Sequence, residues 1–281
     1  MKLLRFGDFG KEKPGVLLNN EMVDLSAFGE NYDEHFFETD GIGRLGKWLS
    51  TQTNLPKIKP GTRLGSPFVR PSKIICVGLN YKKHAAETNM PLPTEPILFF
   101  KSTSALVGPN DGLIIPKKSE KTDWEVELAI VISKKTSYIE EKDALDHIAG
   151  FCLHNDYSER AFQLERSGQW AKGKGCDTFA PIGPYLVTKD EVDFNNLRLW
   201  LKVNGKMMQD SNTDDMVFSC TYLVSYISQF MTLLPGDVIS TGTPEGVGMG
   251  LKPPMYLKAG DVIELGIEGL GEQKQIVEAH S

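Results

Sequence analysis

Three kinds of feature are scarce in this 281-residue chain. Cysteine is the first: Cys76, Cys152, Cys176 and Cys220 are irregularly spaced with no CxxC pair. So few in a chain this long make no disulfide framework, which points to a reducing, cytoplasmic compartment. Long apolar runs are the second. The longest, Leu128 to Ile132, is far too short for a bilayer, and the opening residues reach Gly7 and Asp8 before a signal-peptide core could form, so neither membrane nor export segment is expected. Surplus positive charge is the third: 31 Lys and Arg stand against 37 Asp and Glu, a formal charge of −6, which argues against nucleic acid or an anionic membrane as partner. What is present is ordinary for a folded protein, with 40% hydrophobic and 24% charged residues, and enough length for a small domain joined to a larger one.

Residues 1 to about 50 alternate short apolar stretches with turn signals. Val16-Leu17-Leu18, Asn19-Asn20 and Met22 to Leu25 read as a β-hairpin, with a short helix around Arg44 to Ser50. Pro56, Pro60, Gly61, Gly65, Pro67 and Pro71 crowd a connector, and the domain boundary is placed there, giving 1–68 and 69–281. Strands are expected at Lys73–Leu79, Ile97–Phe100, Leu128–Ser133 and Phe151–Asn155. Leu223, Ile227, Phe230 and Leu234 predict one face of a helix between Met216 and Leu234, which Pro235-Gly236-Asp237 ends. Val238-Ile239-Ser240 then leads into a glycine-rich loop, Thr241 to Gly248. With no internal repeat, the fold class is a β-rich α+β protein.

The pattern with most chemistry in it is Glu125-Val126-Glu127 at the start of an apolar run. Strand periodicity puts both carboxylates on one face, where they repel unless a proton, a cation or a divalent metal intervenes. A solvated strand face is the alternative. Asp156, at the apparent end of another strand, supplies a third acid, although it is equally suited to cap a helix starting at Tyr157 or Ser158. Three hard oxygen ligands suit Mg²⁺, Mn²⁺ or Ca²⁺. His84 and Glu87 are neighbours if helical, the arrangement that orients an imidazole to activate water, though such pairs also arise on exposed helices. Pro91, Pro93 and Pro96 suggest a lid over Thr88 to Thr94. Lys174, between Gly173 and Gly175, brings an ammonium close to a ligand unless it is a surface lysine. The loop from Thr241 to Gly248 matches no nucleotide fingerprint, and its amides and hydroxyls suit a small carboxylate.

Asn80-Tyr81 to Glu87, Glu125-Val126-Glu127, Asn155-Asp156 to Gln163, Lys174 to Pro184 and Thr241-Gly242-Thr243-Pro244, in that order and spacing, resemble the fumarylacetoacetate hydrolase family over about residues 71 to 281. Residues 1–68 resemble the small N-terminal α+β domain of its longer bacterial members. The resemblance implies a mixed, strongly bent β-sheet roll, usually homodimeric, with Mg²⁺ or Mn²⁺ held by Glu125, Glu127 and Asp156. It implies His84 and Glu87 as the water-activating pair, Lys174 as the substrate-side lysine, Arg160 and Gln163 facing substrate oxygens, and Gly242 and Thr243 holding the substrate carboxylate. The implied reaction is hydrolysis of a carbon–carbon bond in a 2,4-diketo acid, an acylpyruvate or a 2,4-diketo-3-deoxy sugar acid, to pyruvate and a carboxylic acid. Oxaloacetate decarboxylase, tautomerase and isomerase activities occur in the same family. A catalytically silent metabolite-binding protein is a further class, but it has no use for a His-Glu pair.

Overall fold

Asn19 and Asn20 adopt left-handed backbone, with φ of 48° and 64°, as a two-residue turn between right-twisting strands requires. Lys13–Leu18 and Glu21–Asp24 pair antiparallel across it, so the expected hairpin is present. The short helix is Gly41–Leu49. The computed structural model describes residues 1–87 and 91–280, so the first part of the expected lid, Thr88 to Met90, lies outside the described residues.

Lys13–Leu18 pairs on its other side with Lys2–Phe6, which pairs in turn with Leu186–Thr188. The sheet runs on through Ile148–Asn155, Val126–Ile132, Val238–Ser240, Ile74–Gly78 and Ile97–Lys101, ten strands with Leu64–Gly65, which pairs with Lys2–Phe6 off this path. Most neighbours are antiparallel, but Val238–Ser240 and Ile74–Gly78 run parallel, so the sheet is mixed. Val126–Ile132 and Ile148–Asn155 are buried at every position, and both lie against a second, five-stranded sheet. That explains why their sequences are near-continuous apolar runs and not alternating ones. In the second sheet Arg198–Val203 does alternate, with Leu199, Leu201 and Val203 buried and Trp200 and Lys202 partly exposed.

One expected element is shorter than its periodicity. The helix covers Cys220–Ser228, capped by the Ser219 hydroxyl accepting from the Tyr222 amide. Leu223 and Ile227 face the core as expected, but Phe230 is 62% exposed and Leu234 is only partly buried. The chain leaves the helix because Leu233 forms a β-bridge with Thr136, which turns Leu233 and not Leu234 inward.

Candidate active site

The central strands deliver the carboxylates. Val126 pairs with Asn155, so Glu125 and Asp156 flank the same end of the ladder, and the Asp156 amide donates to the Glu125 carbonyl at 2.9 Å. Glu127 lies one pair further along. Carboxylate oxygens of Glu125, Glu127 and Asp156 all come within 4.8 Å of one another, and all three residues are buried. Asp156 caps no helix. That role falls to Glu159, whose side chain accepts from the Ala161 amide at the start of Arg160–Leu164.

Three buried cations answer these acids. Lys174 is 2% exposed, and its Nζ donates to Glu125 Oε2 at 2.5 Å and to Asp156 Oδ2 at 2.9 Å. Lys101 Nζ donates to Asp156 Oδ1 at 2.5 Å and to the Tyr157 carbonyl. Arg160 bridges Asp123 at 2.8 Å and Glu125 at 2.7 Å, and a third nitrogen donates to Gln163 Oε1, which leaves the Gln163 amide N–H groups as donors. Burial alone would lift the Asp156 carboxyl and depress the Lys174 ammonium. The lysines outweigh it at Asp156, holding that group well below the usual carboxylate range, and Asp156 and Glu125 hold Lys174 above its ordinary value. Glu127 has no such partner. Burial first, then the Asp156 and Glu125 charges, push its carboxyl well above the usual range.

Four carboxylates, counting Asp123, thus face three cations, and the unmatched charge falls at Glu127, beside two other carboxylates. A divalent ion with an anionic substrate would bring the cluster to neutrality. The all-oxygen donor set suits Mg²⁺ or Mn²⁺ and offers nothing to a thiophilic metal. The residues therefore fit the expected ion.

The rest of the site hangs on the glycine-rich loop. Its amides do hold carboxylates, but the protein's own: Gly242 donates to Glu127 at 3.0 Å, Gly246 to Glu87, and Gly248 and Met249 to Asp123. Gly242 and Gly246 have φ of 99° and 96°, the left-handed region where glycine is unstrained. The Thr243 hydroxyl donates to the Val126 carbonyl and accepts from Gln209. On the helix Lys82–Glu87, His84 Nδ1 lies 3.4 Å from Glu87 Oε2. His84, Glu125, Glu127, Arg160, Gln163, Lys174 and Thr243 all line one cavity of about 300 Å³, whose other walls include Phe99 and Trp170.

Several participants escaped the sequence reading. Asp123 and Gln209 clamp Arg160, Val126 and the loop. His154, the cross-strand partner of Glu127, is fully buried, and burial pushes its pKa down to about 3. Ser240 Oγ donates to Glu127 Oε2 and therefore accepts from His154 Nδ1–H at 2.6 Å, a second-layer chain behind the Glu127 carboxylate. For Lys101 a signal existed: alternation along Ile97–Lys101 puts it on the same face as Phe99, a lysine closing an apolar strand.

Comparison with known proteins gives this arrangement a lineage. The model of the fumarylacetoacetate (FAA) hydrolase C-terminal domain matches residues 73–278. A relative from Burkholderia multivorans with no more specific name than hydrolase is 54% identical over 282 residues, 99% of each chain. Among solved structures, maleylpyruvate hydrolase from Sphingobium sp. SYK-6 in complex with manganese(II) and pyruvate is 30% identical at a TM-score of 0.84, with both chains covered in full. A 5-carboxymethyl-2-hydroxymuconate delta-isomerase from Mycobacterium smegmatis is also 30% identical, at a TM-score of 0.79 over both full chains. From its matched domain, its mixed sheet and these relatives matched over the whole of both chains, the chain belongs to the fumarylacetoacetate hydrolase family, whose members include hydrolases and isomerases.

Proposed function

We propose that this protein is a divalent-metal-dependent hydrolase that cleaves the C3–C4 bond of a 2,4-diketo acid, an acylpyruvate or a 2,4-diketo-3-deoxy sugar acid, to pyruvate and a carboxylic acid. The observation that carries the reading is one cavity lined by Glu125, Glu127, Lys174 and His84, with Asp156 within 4.8 Å of the two glutamates and Glu87 beside His84. Mg²⁺ or Mn²⁺ held by Glu125, Glu127 and Asp156 would supply Lewis-acid charge beside the substrate's carboxylate and 2-keto oxygen. Arg160 and Thr243 orient that carboxylate, the latter by turning its hydroxyl proton away from the Val126 carbonyl. His84, its ring held by Glu87, takes a proton from water as the water oxygen bonds to C4. Lys174, with one of its three N–H donors left over from Glu125 and Asp156, and Gln163 donate to the oxyanion that forms at C4. Collapse of that centre breaks C3–C4, the electron pair goes to C3, and the proton returned through His84 completes pyruvate.

The test follows the ultraviolet absorbance of a 2,4-diketo acid with and without chelator. Absorbance should fall only with metal present, and His84→Ala should lower kcat by about 100- to 10,000-fold while leaving Mn²⁺ binding by calorimetry unchanged. Loss that ignores chelator contradicts the mechanism. An isomerase, the reading favoured by the isomerase relative, needs no attacking water, and neither does a decarboxylase, so a His84→Ala enzyme that retains full turnover would decide against hydrolysis.

A further inference from the structure

The hydrolase reading, on which this inference rests, engages every charged side chain that lines the cavity. Glu125 and Glu127 are taken by the ion, Lys174 and Gln163 by the oxyanion, Arg160 and Thr243 by the substrate carboxylate, and His84 by water. What remains of the described lining is the backbone of Gly78 and the side chains of Val77, Leu79, Phe99, Leu164, Trp170 and Met249. Phe99 and Trp170 meet edge to face with ring centroids 5.2 Å apart. Gly78 makes room for them, since a Cβ there would lie 3.1 Å from Trp170 Cζ3. The cations near this wall are committed. Lys174 sits 5.0 Å above the Phe99 ring but is held by Glu125 and Asp156, and Arg160 by Asp123 and Glu125. A second carboxylate set against this wall would give up part of its water and, among the described lining residues, find no uncommitted counter-charge.

We propose that the acyl group released from C4 is uncharged and sets carbon against the Phe99–Trp170 wall, so that the substrates are monocarboxylate 2,4-diketo acids and tails ending in a carboxylate are rejected.

The experiment compares kcat/KM of the metal-loaded enzyme on three substrates: acetylpyruvate, 4-methylpentanoylpyruvate and succinylpyruvate, the last two matched in shape but differing by a terminal isopropyl against a carboxylate. The neutral long tail should exceed succinylpyruvate by about 100-fold or more, the scale of burying an unpaired charge. Leu164, 47% exposed at the cavity, tolerates a polar replacement. Leu164→Arg should raise the succinylpyruvate rate relative to acetylpyruvate at least about 10-fold, as a single new ion pair allows, and Leu164→Gln should not. Turnover of succinylpyruvate equal to or faster than that of its neutral match overturns the inference while leaving the hydrolase reading intact. Failure to cleave any of the three, or a 2,4-diketo-3-deoxy sugar acid run beside them, overturns that reading and the inference with it.

Discussion

Lys174 neutralises two carboxylates that the proposed ion also needs, so its contribution to stability depends on whether that ion is present. Lys174→Met removes a buried charge and leaves Glu125 and Asp156 short of a partner, a loss of about 3 kcal/mol or more without metal. Mn²⁺ should recover much of it, seen as a larger metal-induced rise in Tm for the variant than for the unmodified protein. Equal rises in Tm would mean that the carboxylates do not share their charge between lysine and ion. At this scale the sequence was readable wherever both partners lay within a few residues of each other. Glu125 and Glu127 are two apart at the head of a strand, and His84 and Glu87 three apart on a helix, so a fixed period sufficed. Lys101 and Asp156 are 55 residues apart, and Asp123 meets the Gly248 amide across 125. Such pairs depend on sheet order, which no local period encodes.

The segment from Thr241 to Gly248 works as a clasp, each of three amides closing on a different carboxylate-bearing element. A Cβ at Gly246 would fall 1.9 Å from the Met208 carbonyl and require a side chain at φ 96°. Gly246→Ala should therefore destabilise the protein by about 1–3 kcal/mol and, because the Gly246 amide holds Glu87, should lower kcat beyond what the loss of folded protein explains. Denaturation and active-site-normalised kinetics separate the two. Reading this loop as a carboxylate holder identified the chemistry of its amides but not that they hold the protein's own carboxylates, since amide direction is set by backbone dihedrals that sequence composition does not fix. The helix Cys220–Ser228 failed in the same way. Apolar spacing of four and seven continued past its end, but the bridge between Leu233 and Thr136 competed for the chain and won.

Across the whole molecule, the β-rich class was legible from turn signals and apolar runs and the mixed sheet only through the family resemblance, whereas the joining of the N-terminal hairpin to the central sheet was in neither. It rests on Lys2 and Leu3 pairing with Val187 and Leu186, and on a charge cluster. Glu12 accepts from Arg63 and Arg5, and Arg63 continues to Asp111. Burial would raise the Glu12 carboxyl, but backbone amides and the two guanidinium groups outweigh it and hold it below the ordinary carboxylate value. Its stabilisation is thus complete above that value near 4.5 and fades as pH falls through the lower folded one. Glu12→Gln should cost about 1–2 kcal/mol at pH 7, with the gap in Tm between the two proteins closing as pH drops below 4.5. A gap that is constant with pH would assign the effect to packing. The strand Lys2–Phe6 also shields: its backbone closes the open rim of Leu186–Thr188, two strands from the one that carries Glu127. A version of the chain trimmed of its first residues would expose that rim as a template for another molecule, so shortening this protein should trade solubility for self-association before it touches the chemistry.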